Sequence, residues 1–493
     1  MNAICSCFAA WSTWCTLWAI TSALVFILAA LHFARKWLLR KFEWLKTFYV
    51  WIGVLAVLGG AWAFLFPLAI NADFSKNGDG AALRQTLIYT TGGLLGVITL
   101  GETRHKNDQE HIRQVHAERR SRYATAIEQL ADEKAPIRLG GVYTLVKLVD
   151  DWLDDEKTLP SKDERRKEGQ IIIDSLCAYI RSSFPLAERY DELTLSYEEY
   201  QQNCQGNQDL HNPQIIPIPK PKNAKQSRED FMRDKSLLRE EQEVRKTILS
   251  EIKNRLNGGK TKNKDGRDEI EPGTWSYFEY DFSNTLFFYC VDFNDSYFGA
   301  SSKFAQTAFM SNTDFSKTRF IKEANFFGTT FTMEAKFSKA VFNGKADFSK
   351  STFCEDGNFS QVTFNMYSSF DYANFNMFAR FYKAFFTGDV SFIMTNFNLD
   401  TYFSGAIFTN HTSFLKATFH IQPIFASILY PWEGLYIAKF SSKGKHNFNT
   451  SSDSPYKIET EEKEYNGTKF TIPKGAVLFD PDDPSEREEN GKS

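Results

Sequence analysis

The side chains that could do chemistry in this chain are few, and their spacing suits little of it. Seven cysteines stand at positions 5, 7, 15, 177, 204, 290 and 354, with no repeated spacing and no Cys-x-x-Cys pair. That usage fits a reducing compartment without a disulfide framework. His105, His111 and His116 invite a metal reading. At 100° per residue they fall at roughly 0°, 240° and 20° around a helix. Only the outer two share a face, and they read as solvated helix-surface residues. No G-x-x-x-x-G-K-[ST], H-E-x-x-H or G-x-S-x-G motif occurs. The expectation is therefore no enzyme, no metal and no cofactor.

Two further groups remain. Arg113, Arg119, Arg120 and Arg122 could meet lipid headgroups or an anionic ligand. Their plainer reading is a solvated face and a topology signal. Thr86 and Thr90 lie beside Gly92, Gly93 and Gly96. Small residues let helices approach closely, and hydroxyls bond across the interface. That face would pack neighbouring helices, or line a pore if several copies assemble.

The elements that position these groups begin in a membrane. No Asp, Glu, Lys or Arg precedes Arg35, and apolar runs cover 14–34 and 48–70. Each is long enough to cross a hydrocarbon core of ~30 Å. A shorter, partly polar run at 85–101 reads as a third span. No basic region followed by a short apolar core marks a cleaved signal peptide. Arg35, Lys36, Arg40, Lys41 and Lys46 fill the first loop, and Arg104, Lys106 and the arginine cluster follow the third run. The positive-inside rule then puts the N-terminus outside and everything after 101 in the cytoplasm. No charge lies mid-span, which gives an ion-coupled transport path little support. A mean hydropathy of -0.38 excludes a many-spanning transporter. The net charge of -3 argues against a nucleic-acid binder working by overall basicity.

A helical cytoplasmic region is expected over 102–256. Ile137, Leu139, Val142, Leu145, Val146 and Leu148 follow helical spacing after an Ala-Pro break, and 169–183 and 237–256 are amphipathic. A Pro- and Lys-rich loop is expected at 201–230 and a linker at 257–277.

The strongest signal is internal repetition. Phe recurs every eleventh residue from 282 to 425 and again from 287 to 419, making 27 of the 46 phenylalanines in the chain. Among them are Phe304, Phe315, Phe326, Phe337, Phe348, Phe359, Phe370 and Phe381. The residue two places before each is usually small, as at Ala335 and Ala346. Gaps alternating between five and six fit neither a helix nor a flat strand. They fit a solenoid whose short sides each turn one large and one small residue inward. With four sides per coil, 22 residues make a turn, and about six and a half coils make a rod of roughly 30 Å.

ADF at 346–348, ANF at 324–326 and 373–375, and AVF at 340–342 resemble the unit of the pentapeptide-repeat proteins. The resemblance covers about 278–425 and implies a right-handed quadrilateral β-helix. Phe at nearly every central position and a sixth residue in alternate units are similar to a Phe-rich eleven-residue subgroup. The segment 128–148 resembles the helical stretch that precedes the repeats in bacterial membrane-anchored members, which implies a bacterial inner membrane. The period stops after Phe425. Beyond it, 460–479 reads as a hairpin turning at Asn466-Gly467 that could cap the rod, followed by an acidic, disordered tail.

The expected class is multidomain. It comprises three transmembrane helices in 1–101, the helical region 102–256, the linker 257–277, the β-helix 278–425, and a cap hairpin and tail over 426–493. The leading functional expectation is a membrane-anchored scaffold or sensor that presents the rod to a cytosolic protein partner. A homo-oligomeric gated channel or membrane-disrupting effector, suited to anti-phage defence, is the alternative. The resemblance also implies a third, mimicry of duplex DNA to inhibit topoisomerase. With 11 Lys and Arg against 13 Asp and Glu in 278–425, the rod lacks the strongly anionic surface that this role needs. Membrane lipid and a protein are the expected partners, and nucleic acid is not.

Overall fold

The computed structural model describes residues 48–70, 80–205, 226–262, 268–428 and 434–483. The chain divides into two compact units, Met1–Glu118 and Arg119–Ser493. The expected first span, the loop before the second helix and the acidic tail lie mostly or wholly outside the described residues.

In the first unit, α1 (Phe48–Ala69) carries no charged residue. Over Ile52–Ala69 its mean hydropathy is 2.1, and it is the single helix among the described residues long and apolar enough to cross a membrane. The expected third span lies inside α2 (Gly80–Leu130), one continuous helix of 51 residues. That segment falls short of the same measure, because Gln85 and its threonines and glycines dilute its apolar content. One candidate span therefore stands among the described residues, and the expected first span lies outside them. The two helices approach at Gly59, where any Cβ would collide with the Thr91 side chain. Arg84 lies over the Phe64 ring at 4.2 Å.

In the second unit, α3 (Ala135–Leu153), α4 (Lys162–Arg181), α5 (Tyr190–Thr194), α6 (Tyr197–Gln205) and α7 (Arg228–Leu256) pack with the end of α2. Pro136 opens α3, and serine side chains cap two others, Ser161 on α4 and Ser227 on α7. Val142, Leu145, Val146 and Leu148 are buried as their spacing predicts, whereas Ile137 is exposed. Gly141 sits so close to the Ala126 carbonyl that a Cβ would lie 2.8 Å from its oxygen.

The stretch expected as a linker carries an antiparallel pair instead, β1 (Asn257–Lys262) with β2 (Asp268–Pro272). Low hydrophobicity concealed it. Its partners are backbone groups and ion pairs such as Lys260–Asp295 at 3.0 Å.

From Tyr280 onward the chain winds through four parallel sheets of two-residue strands. Each strand pairs with the one 22 residues later, as Ala324 does with Ala346 and Phe331 with Phe353. This is a β-solenoid of four sides and 22 residues per coil. Side chains stack in four phenylalanine columns. Phe326 lies 4.8 Å from Phe348, centroid to centroid and nearly parallel, while Phe337 meets Phe348 edge to face at 5.2 Å. Phe304, Phe315, Phe326, Phe337, Phe348, Phe359, Phe370 and Phe381 are all fully buried. Thr307, Thr318, Thr329 and Thr395 are buried and donate to backbone carbonyls of the preceding coil, as Thr318 does to Phe293 at 2.7 Å.

The Ala-Asp/Asn-Phe unit has a physical cause. Ala and Phe point inward, and the polar side chain between them points out and turns back to cap the corner. The Asp347 carboxylate accepts from the Ser349 N–H at 3.0 Å, and Asn325 from Phe327 at 2.9 Å. Two residues after each Phe of the series 282–414 the backbone adopts positive φ, including Lys339 at 60° and Tyr372 at 58°.

The solenoid outlasts its period. Lys439–Ser441 continues one sheet after Ile407–Phe408, and Val477–Phe479 pairs beyond that. Phe440 stacks on Phe408 at 4.7 Å and Phe448 on Phe414 at 6.1 Å. The expected hairpin is present, with Thr460–Tyr465 paired to Thr468–Pro473 and positive φ at Asn466 and Gly467.

Candidate interaction face

The helical region closes the solenoid's first coil through side chains of α3, α4 and α7. Asp150 accepts from the Trp275 indole at 2.8 Å and is paired with Arg255 at 2.9 Å. Gln242 donates to the Phe288 carbonyl at 2.7 Å, and Lys253 pairs with Asp292 at 2.6 Å. Arg245 is buried and donates to Glu241 at 2.6 Å and to the carbonyls of Ile180 and Ser182.

This arrangement also consumes half of the arginine cluster. Arg119 bonds Asp155 at 2.5 Å and lies over the Trp152 ring, and Arg122 bonds Asp151 at 3.2 Å. Burial opposes ionisation of Asp155, yet hydrogen bonds from Thr158 and the charge of Arg119 bring its carboxyl down to about 2. Arg113 and Arg120 remain exposed. Thr86 and Thr90 bond their own helix, and among the described residues no other atoms approach within 4 Å of a Cβ at Gly92, Gly93 or Gly96.

With the interior filled by phenylalanine, the solenoid's outer faces are what it offers to other molecules. Between 278 and 425 the large apolar side chains left exposed are Met333, Met366, Tyr367, Tyr372 and Met394. Four of these five border a single side of the rod. Met366 and Tyr367 lead into the strand Ser368–Ser369, Tyr372 leaves the same coil at the next corner, and Met394 holds the equivalent corner one coil on. Between these rims the outward positions are short: Ser369, Ser391 and Ser413. The result is a serine-floored strip with aromatic and methionine walls.

Local backbone holds the rims in place. Ser349 and Ser369 hydroxyls lie 2.7 Å apart, and Asp371 accepts from the Ile393 N–H at 2.9 Å. Gly388 lets its coil settle against the Met366 backbone, where a Cβ could not fit. Charges continue the rims. Glu323, Lys345, Asp389 and His411 lie along the Tyr367 edge, and Lys350 and Lys416 along the Tyr372 edge. Tyr and Met are enriched at protein interfaces, whereas solvated solenoid corners are polar. Sequence reasoning passed over these four residues, although Tyr372 and Met394 interrupt a corner series otherwise held by Asn, Asp, Gln, Lys and Gly.

Among the described residues no group of three or more His, Cys, Asp or Glu is placed to hold a metal. A family model for pentapeptide repeats, described as nine copies, matches residues 326–373 and 370–418. The chain carries a pentapeptide-repeat domain. No curated protein and no solved structure matches the chain. The pentapeptide-repeat coils therefore account for the four-sided rod, and the walled strip is a feature of this sequence laid upon them.

Proposed function

We propose that the protein is a membrane-anchored pentapeptide-repeat scaffold whose rod engages protein through the serine-floored face. The observation that carries this reading is the gathering of Met366, Tyr367, Tyr372 and Met394 around one side of the rod, against Met333 elsewhere between 278 and 425. Exposed apolar side chains clustered in one patch mark interaction sites. The charge-free α1 supports an anchor, with the rod on the side of the basic segments. The reading assigns no catalytic step to the chain.

Two measurements test it. The full chain should sediment with membranes, resist alkaline carbonate and be released by detergent; recovery in the aqueous supernatant would refute the anchor. A photo-reactive phenylalanine at Tyr372 should cross-link to protein in cells, while the same group at Thr352, on another side, should not. Equal capture at both positions would refute the face.

A further inference from the structure

The charges along the two rims carry a self-complementary pattern. Counting outward from the Tyr367–Tyr372 coil, Lys345 lies one coil before and Asp389 one coil after on the same edge. Two coils out, Glu323 precedes and His411 follows. On the opposite edge Lys350 precedes and Met394 follows. On the floor, Asp347 precedes and Ser391 follows.

From this order we infer that the face is a two-fold interface with a second copy of this chain, the rods lying antiparallel and the axis crossing them at the Tyr367–Tyr372 coil. The inference rests on the scaffold reading and names its partner. Each residue one coil before the axis then meets the residue one coil after it in the other copy. Lys345 meets Asp389 of the second copy and Asp389 meets its Lys345. Glu323 meets His411, the Lys350 stem covers Met394, Asp347 meets Ser391, and each tyrosine meets its own mate. Among the rim pairs no like charges are opposed, and Asp371 of the axial coil, which faces its own mate, is held by the Ser391 hydroxyl and the Ile393 N–H of its own copy. A parallel arrangement would oppose Lys345 to Lys350. Moving the axis one coil either way would set Lys345 or Asp389 against itself, which costs affinity.

Lys345 is available for this contact. It lies 3.2 Å from Asp347 and 3.7 Å from Glu323, yet is still 45% exposed, and an ammonium has three donors. Asp389 is exposed and accepts from the His411 N–H at 3.2 Å. The small serines leave room for the partner's rims to approach. Seven overlapping strands at ~4.8 Å, across a side of at most ~17 Å, give no more than about 570 Å² per copy. The total, at most about 1,100 Å², lies at the ~1,000 Å² threshold of a specific interface. A modest interface of that size gains from confinement to one membrane, which raises effective concentration.

The test uses the full chain in detergent, with mass measured by light scattering across a dilution series. Lys345→Asp and Asp389→Lys should each weaken dimerisation by about tenfold or more, and the double exchange should restore it. Wild-type chain that stays monomeric, single variants that dimerise as the wild type does, or a double variant that is not rescued would each overturn the interface. A photo-reactive group at Tyr372 gives a second readout that does not depend on charge. A product of twice the chain mass supports the proposal, and exclusive capture of a different protein overturns it while leaving the scaffold reading standing. Loss of sedimentation with membranes would instead strike the anchor alone.

Discussion

Phe348 shows how one side chain is held from four directions. Its ring lies 4.8 Å from Phe326 and 5.1 Å from Phe370 in its own column, and meets Phe337 and Phe359 edge to face at 5.2 and 5.3 Å. Phe348→Ala should cost about 3–5 kcal/mol, because the rigid coils around it cannot collapse into the space. Phe348→Asp should abolish the solenoid's circular dichroism, since an unpaired charge on the axis has no partner. A native-like melt for the Asp variant would contradict the stacking. These positions were legible in sequence because a 27-member lattice has no other explanation. The corners were not: Lys339 and Lys350 adopt positive φ that glycine would take more readily, and only the surrounding coils force them into it. His446 is equally hidden in sequence. Burial between Phe440 and Phe448 pushes its pKa below the ordinary value, partly opposed by a bond to the Ser441 carbonyl and aided by the charge of His411. A folded-state pKa below the unfolded one means stability is complete above about 6.5 and is lost as pH falls through that value. Amides of 439–448 should therefore exchange faster at pH 5.5 than at pH 7.5, after correction for intrinsic rates, and His446→Leu should remove the difference. An unchanged ratio in that variant would assign the effect elsewhere.

At the scale of elements, what sequence revealed depended on how regularly the chain wrote it. The hairpin at 460–473 was visible because Asn466-Gly467 supplies the two positive φ angles that a tight turn requires. The last coil was invisible because the insertion before Tyr436 breaks the eleven-residue count, although Phe440 and Phe448 resume the same columns. Periodicity reads spacing along the chain, whereas stacking needs only the right place in space. The same limit applies to α3. Its apolar stripe announced a helix, but nothing local showed that Asp150 would bind Trp275, 125 residues away. That carboxylate is shared by the indole and the Arg255 guanidinium. Asp150→Ala should leave both donors without it and cost about 1–3 kcal/mol, discounted for their partial exposure. Asp150→Asn keeps one acceptor and should cost less. Hydrogen exchange should rise together in 142–153 and in the first coil at 275–299. A rise confined to α3 would show that the helix and the solenoid are held separately.

For the second unit as a whole, the helices serve the rod as its first end. A solenoid coil is stabilised mainly by its neighbours, so the first coil needs something to cover it. Here Phe278 lies against Gly169 of α4, Phe288 stacks on Phe184 at 5.7 Å, and Trp275, Tyr280 and Tyr289 are buried beneath the helical layer. The amphipathic helices seen in sequence thus have their apolar faces explained twice, once by each other and once by the rod. This dual use was not legible, since hydrophobic spacing states that a face is buried and not what buries it. A chain beginning at residue 268 should expose Trp275, Phe278, Phe288 and Tyr289 together with the unpaired edges of four sheets, and such edges associate. It should sediment as oligomers or aggregate, whereas a chain beginning at 119 should unfold in one transition. Restoring the helices in trans, as a separate 119–256 fragment, should reduce aggregation of the 268–493 fragment if the two surfaces recognise each other. A 268–493 fragment that is monodisperse and melts at the temperature of the 119–493 chain would show that the rod closes its own end, and the helical layer would then need another reason to lie where it does.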